Sequence, residues 1–225
     1  DHKSSRGLGD VYKRQVIDAL KENNQYDNTI IYFLSDNGAA MSNNASPFPF
    51  KGWKGNQFEG GIKTPMIMTW KNKIKSNTQF DGFISALDIF KTSLEVSNVN
   101  DDLMANADGK NIMNYLNDNT IQNKNLFWRK DKMATVRSGN YKLIRLNDTS
   151  TVLYNIENNY FEDLDLKLKE PSVHDSLFKL LLAWEDRLID PNWIENKDWN
   201  IVTEMIYEDL MANKDIRAVS PKDLN

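Results

Sequence analysis

Asp36, Asn37, Lys51, Lys54 and Glu59 all fall in one stretch, SDNGAAMSNNASPFPFKGWKGNQFEGGIKTP, from Ser35 to Pro65. Asp36 and Asn37 set a carboxylate beside a side-chain amide. Those are hard oxygen donors, suited to Ca²⁺ or Mg²⁺ rather than to zinc, which prefers nitrogen and sulfur. Asp-Asn-Gly is also good turn chemistry by itself, and for the tetrapeptide alone a plain turn is the commoner reading. Lys51 and Lys54 sit in KGWKG. A lysine ammonium is a compact charge that suits an oxyanion, and flanking glycines let backbone approach a ligand. Two solvated loop lysines are the alternative. Glu59, before Gly60-Gly61, could orient a lysine, hold the loop or be a surface charge.

Other chemistry is sparse. The chain has no cysteine, which excludes disulfides, thiolate metal sites and a cysteine nucleophile. His2 lies in an atypical leader, and His174 is expected to be solvated in the first turn of a helix, off its apolar stripe. No glycine string matches a phosphate-binding loop or a dinucleotide fingerprint. A net charge of −4 without a basic block gives no nucleic-acid surface. No apolar run approaches the ~18–20 residues of a membrane span. With 40% hydrophobic and 11% aromatic residues over 225, the chain can bury a core.

The elements that position these groups follow from periodicity. Residues 1–15, DHKSSRGLGDVYKRQ, show no apolar period and read as a probable non-native leader. VIDALKENNQ reads as the end of an amphipathic helix, with Val16 and Leu20 on one face. IIYFL, Ile30 to Leu34, suits a strand buried on both faces, as in a parallel sheet. It delivers Asp36 and Asn37 to the C-terminal end of that strand, the edge where open α/β sheets bind ligands. The loop over 39–61 is long enough to be functional, and its aromatic residues argue for order. IKTPMIMTW is the next strand. A helix follows, with Phe83, Ala86, Leu87, Phe90 and Leu94 as its stripe. MATVRSGNYKLIRL and TVLYNIEN predict three antiparallel strands. SVHDSLFKLLLAWEDRLI predicts a helix capped by Ser172, with Val173, Leu177, Leu180, Leu181, Trp184 and Leu188 on one face. The organisation expected is an α/β core over 16–105, an antiparallel sheet with a covering helix over 106–193, and a charged tail over 194–225.

DNTIIYFLSDNG followed by FKGWKGNQFEGGIKTPMIMTW resembles the C-terminal half of a formylglycine-dependent sulfatase, of the alkaline phosphatase-like superfamily. That family carries a strand ending in S-D-N-G. It then carries (R/K)-G-x-K-G-x-x-x-E-G-G-(I/V)-(R/K)-x-P, and every fixed position is met from Lys51 to Pro65. FDGFISALDIFKTSLEV resembles the family's D-(I/L)-x-P-T-L helix, with Lys91 where proline is usual. DGKNIMNYL, FWRKDKMATVRSGNYKLIRL and VLYNIENNYFEDLDL resemble its C-terminal subdomain. The likeness covers about residues 16–193.

The resemblance implies an alkaline phosphatase-like α/β sheet, C-terminal portion only, followed by a small antiparallel β-sheet subdomain with a covering helix. It implies that Asp36 and Asn37 are Ca²⁺ ligands. Lys54 would be the catalytic and substrate-binding cation on the sulfate, and Lys51 a weaker substrate-binding candidate. The substrate would be a sulfated carbohydrate or another sulfate ester, and the location periplasmic or secreted. The family's nucleophile arises from Cys or Ser in (C/S)-x-(P/A)-x-R, a motif absent from these 225 residues. The expectation is therefore an inactive chain whose full-length parent is a sulfatase. Alternatives are a non-catalytic sulfated-glycan-binding fragment, and a phosphodiesterase or phosphonate hydrolase of the same superfamily. S-D-N-G favours one calcium ion over the two-metal sites of the latter.

Overall fold

The computed structural model describes residues 2–98, 107–118 and 125–224. The expected boundary at 105–106 lies outside them. The chain divides into two compact units, one of residues 1–35 and 65–121, the other of 36–64 and 122–225. The site stretch from Asp36 to Thr64 thus belongs to the unit that carries the antiparallel sheet.

The first unit opens with helix α1 (His2–Glu22), which runs through the expected leader. No proline interrupts those residues, and Gly7 and Gly9 cost only about 1 kcal/mol each in a helix. Strand β1 (Ile31–Leu34) follows. After the short helix α2 (Glu59–Ile62), which lies in the other unit, comes strand β2 (Met66–Thr69). Among the described residues β1 pairs only with β2, and the pair is antiparallel, not parallel, with Phe33 opposite Ile67. Those two side chains are 49% and 61% exposed. Two strands cannot cover their own faces, so the double-sided burial expected of IIYFL is not met within this unit.

Helix α3 (Leu87–Val96) also departs from its predicted stripe. Leu87 and Phe90 are exposed, and the buried residues are Asp88 and Thr92. Hydrogen bonding decides the face. Asp88 accepts from the backbone N–H of Ser85 and of Lys110, both at 2.8 Å. Thr92 Oγ1 donates to the Asp88 carbonyl and accepts from the Ile112 N–H. A buried carboxylate needs such donors, and these tie α3 to the start of helix α4 (Ile112–Asp118).

The second unit is built on a four-stranded meander, β3 (Asn125–Lys130), β4 (Met133–Ser138), β5 (Tyr141–Arg145) and β6 (Thr151–Asn155). The periodicity predicts three of these strands; β3 is a fourth, added at the edge beside β4. Alternate side chains leave opposite faces. Ala134, Val136, Leu143 and Leu153 face helix α5 (Pro171–Glu185), meeting Leu177 and Leu181. Phe127 stacks on Trp184 at 4.9 Å. Pro171 begins the helix and Ser172 makes no cap; Pro at the first helical position has no N–H to satisfy. Leu188 falls beyond the helix end. His174 is not solvated: its Nε2 lies 3.0 Å from Thr151 Oγ1, and its ring stacks on Phe178.

The other face of the sheet sets Met133, Ile144, Val152 and Tyr154 against Phe58 from the site stretch. It also meets Tyr207 and Leu210 of helix α6 (Lys197–Met211), which occupies the expected charged tail. Asn196 caps α6 by accepting from the Asp198 N–H. The Tyr207 hydroxyl accepts the buried Gln57 N–H at 2.9 Å. Tyr207→Phe leaves that N–H unsatisfied, so stability should fall by roughly 1–3 kcal/mol. A urea midpoint shifted at unchanged slope would report it.

Candidate functional site

The site stretch is assembled by backbone. Gly38 N–H donates to the Gly61 carbonyl at 2.9 Å, and Lys54 N–H to Ala39 at 2.8 Å. Gly60 N–H donates to Lys51 at 2.7 Å. These bonds draw the Asp36-Asn37-Gly38 turn, KGWKG and EGG into one knot. A Cβ on Gly38 would lie 1.9 Å from the Gly60 carbonyl oxygen, and one on Gly60 would lie 2.4 Å from that of Gly52. Only glycine permits so close a backbone approach.

Glu59 is fully buried under this knot. Its Oε1 lies 3.0 Å from Lys142 Nζ and its Oε2 3.3 Å from Arg137 Nη1. Arg137 and Lys142 are direct cross-strand partners on β4 and β5, a like-charge pairing that repels unless an anion lies between. Glu59 is that anion. Burial pushes its carboxyl up, but Lys142 and Arg137 outweigh burial and hold it below the usual range. Glu162 supplies the second carboxylate. Its Oε2 accepts the Glu59 N–H at 2.7 Å, and its Oε1 lies 2.8 Å from Lys142 in an ion contact without hydrogen-bond alignment. Burial raises the Glu162 carboxyl above its ordinary value despite Lys142, and the charge on Glu59 adds to the rise.

Lys51 and Lys54 take opposite roles. The resemblance gave Lys54 as the cation on the sulfate and Lys51 as the weaker candidate. Lys51 instead turns inward: its ammonium donates to the carbonyls of Glu162 and Leu210, the latter at 3.0 Å, and to Asn213 Oδ1. Those acceptors match its three hydrogens. Leu210 is in the last turn of α6, where a cation also complements the helix dipole. Burial holds the Lys51 ammonium below the usual lysine value, partly countered by Glu162 and Asp163. Lys54 is exposed, and its ammonium has no hydrogen bond or ion pair among the described residues. Asp36 is exposed too, with no side-chain partner among them. Asn37 spends its amide N–H on the Gly38 carbonyl at 2.8 Å.

Two hard oxygen groups side by side fit Ca²⁺ chemically, but the ion takes six to eight oxygens. Among the described residues no three His, Cys, Asp or Glu side chains gather as a metal site. Sequence reasoning missed Gln57, whose amide joins Thr135 and Met133, and it missed Glu162. Only their acidic or amide character was visible, and it marks neither as buried.

Removing Lys142 takes the ion partner from Glu162 and leaves Glu59 with Arg137 alone. Lys142→Met should cost about 3–5 kcal/mol in urea unfolding. The two acids pull the pH profile in opposite directions. Glu59, lowered on folding, contributes stability above the ordinary carboxyl range that is lost as pH falls through its folded value. Glu162, raised on folding, makes stability fall as pH rises from the ordinary glutamate value to its own folded value. Glu162→Gln should abolish that second fall and keep the acid-side loss, read as urea midpoints across pH.

Residues 11–99 match the family model described as Sulfatase. The uncharacterised sulfatase YdeN of Escherichia coli is 37% identical over 121 residues, 51% of this chain and 21% of the relative. An arylsulfatase of Hemicentrotus pulcherrimus is 29% identical over 134 residues, 57% of this chain and 24% of the relative. Among solved structures, Ps i-CgsB with k-i-k-neocarrahexaose bound superposes with a TM-score of 0.75 at 28% identity, over 87% of this chain and 44% of that one. The chain thus spans less than half the length of each of these three proteins. The stretch that holds Asp36, Asn37, Lys51, Lys54 and Glu59 lies within the residues that match the Sulfatase model.

Proposed function

We propose that this chain forms one wall of a sulfatase active site and that its full-length parent hydrolyses sulfate monoesters, on a sulfated sugar or polysaccharide. The observation that carries the proposal is Lys54, an exposed ammonium with no partner among the described residues, held by its own backbone beside the Asp36-Asn37 turn. Cleaving the S–O bond of a sulfate ester builds negative charge on the leaving oxygen. Lys54 is the cation placed to meet it. It is held in advance, because the glycine knot fixes its backbone before any substrate arrives.

Asp36 and Asn37 are proposed as two of the ligands of a Ca²⁺ ion, which when bound would polarise the sulfuryl oxygens. Lys51 is proposed as the anchor of the Lys54 loop rather than as a substrate ligand, because its hydrogens are already taken. The isolated chain carries no (C/S)-x-(P/A)-x-R motif and is proposed to be inactive. No helix among the described residues is long and apolar enough to cross a membrane. A periplasmic or secreted location rests on the family likeness.

The 225-residue chain should give no turnover of 4-methylumbelliferyl sulfate. In the full-length parent, Lys54→Ala should lower kcat/KM by about 10²–10³ while leaving the urea midpoint in place. Lys51→Ala should lower the midpoint instead. A parent in which Lys54→Ala keeps full activity would refute the assignment. With only two of its ligands here, Ca²⁺ should bind the isolated chain more weakly than about 1 mM, read from amide shifts at Asp36 and Asn37.

A further inference from the structure

Lys54 opens onto a pocket of about 170 Å³ that belongs wholly to the second unit. That is room for roughly five or six waters, the scale of one small polar ring. Trp53 and Trp199 both line it. Trp53 packs on the Phe58–Tyr207 core and is held there, whereas Trp199, early in α6, is 44% exposed. A half-open aromatic face beside a cation is a surface on which a ligand ring can stack.

The polar lining is as distinctive. Lys130, at the end of β3, reaches the same pocket and pairs with Glu195 at 3.1 Å. Glu195 also accepts from Thr203 Oγ1 at 3.1 Å, so its carboxylate is held from two sides. The pocket therefore offers two aromatic surfaces, two ammonium groups and one fixed acceptor. Aromatic faces carry negative charge density and suit the C–H face of a pyranose. Ammonium groups suit sulfates, and a fixed carboxylate suits a sugar hydroxyl. A larger cavity of about 620 Å³, lined by Arg129, Lys132, Arg145 and Lys197, competes less well. No aromatic side chain is among its lining residues, so it offers no face on which a ring could stack.

We infer that this pocket is a sugar subsite that seats one ring of a sulfated glycan against Trp199, with Lys130 on a second anionic substituent and Glu195 accepting from a ring hydroxyl. The inference rests on the sulfatase reading of Lys54 and assigns Trp199, Lys130 and Glu195 to the sugar ring that carries or adjoins the sulfate. It also gives the half-open Trp199 a partner.

Calorimetric titration of the 225-residue chain with a sulfated carrageenan-type tetrasaccharide, its desulfated counterpart and sodium sulfate tests this. The sulfated tetrasaccharide should bind. Trp199→Ala should weaken it about tenfold, and Trp199→Tyr, which keeps an aromatic face, should restore most of the loss. Lys130→Ala should weaken the sulfated sugar and not the desulfated one. Trp193→Ala, an exposed tryptophan outside the pocket, should change nothing. No binding by the wild-type chain, or Trp199→Ala binding as tightly as wild type, overturns the subsite. Equal binding of the sulfated and desulfated sugars, still dependent on Trp199, would keep the ring subsite and overturn the sulfate reading beneath it.

Discussion

The buried cluster of Glu59, Glu162, Lys142 and Arg137 is the constraint that the rest of the site depends on. Two cations face each other across β4 and β5, which is unfavourable without an anion between them. Glu59 meets both. Glu162 then ties the two ends of the site loop to the sheet, its carboxylate on the Glu59 N–H and its carbonyl on Lys51. A buried ion cluster of this kind is weak evidence of high stability, because desolvation offsets much of the attraction. Its value here is positional. Moving Glu59 out of the cluster would leave Lys142 and Arg137 facing each other without it.

On that base the glycines bring three backbone segments within carbonyl distance, and two lysines three residues apart end in opposite environments. Lys51 is consumed by acceptors from the far end of the chain. Lys54 is left outward, in reach of a ligand. The division follows from geometry. Gly52, at φ 78°, reverses the chain between them, so one side chain enters the interior and the other leaves it. An anchored cation and a free one from a single KGWKG stretch is the economy of the site.

Much of this was legible in the sequence. The spacing from Lys51 to Pro65 marked the sulfatase likeness, and the period of SVHDSLFKLLLAWEDRLI marked the covering helix. What failed did so for identifiable reasons. α6 was taken for a charged tail because it buries Thr203 and Asp209 alongside Val202, Tyr207 and Leu210, which blurs its apolar stripe. α3 was turned the wrong way because Asp88 and Thr92 are buried through hydrogen bonds, which hydropathy cannot register. The inward turn of Lys51, a weaker substrate candidate from the resemblance, was not legible, because its acceptors lie 111 and 159 residues along the chain. No local pattern announces a partner so distant.

The most direct measurement of the central claim is a titration of the 225-residue chain with sodium sulfate, followed by lysine side-chain and amide NMR. The account predicts shifts at Lys54 and its neighbour Gly55, a Lys51 ammonium protected from exchange, and no response at Lys51. Sulfate shifts centred on Lys51, with an exchange-exposed ammonium there, would contradict it.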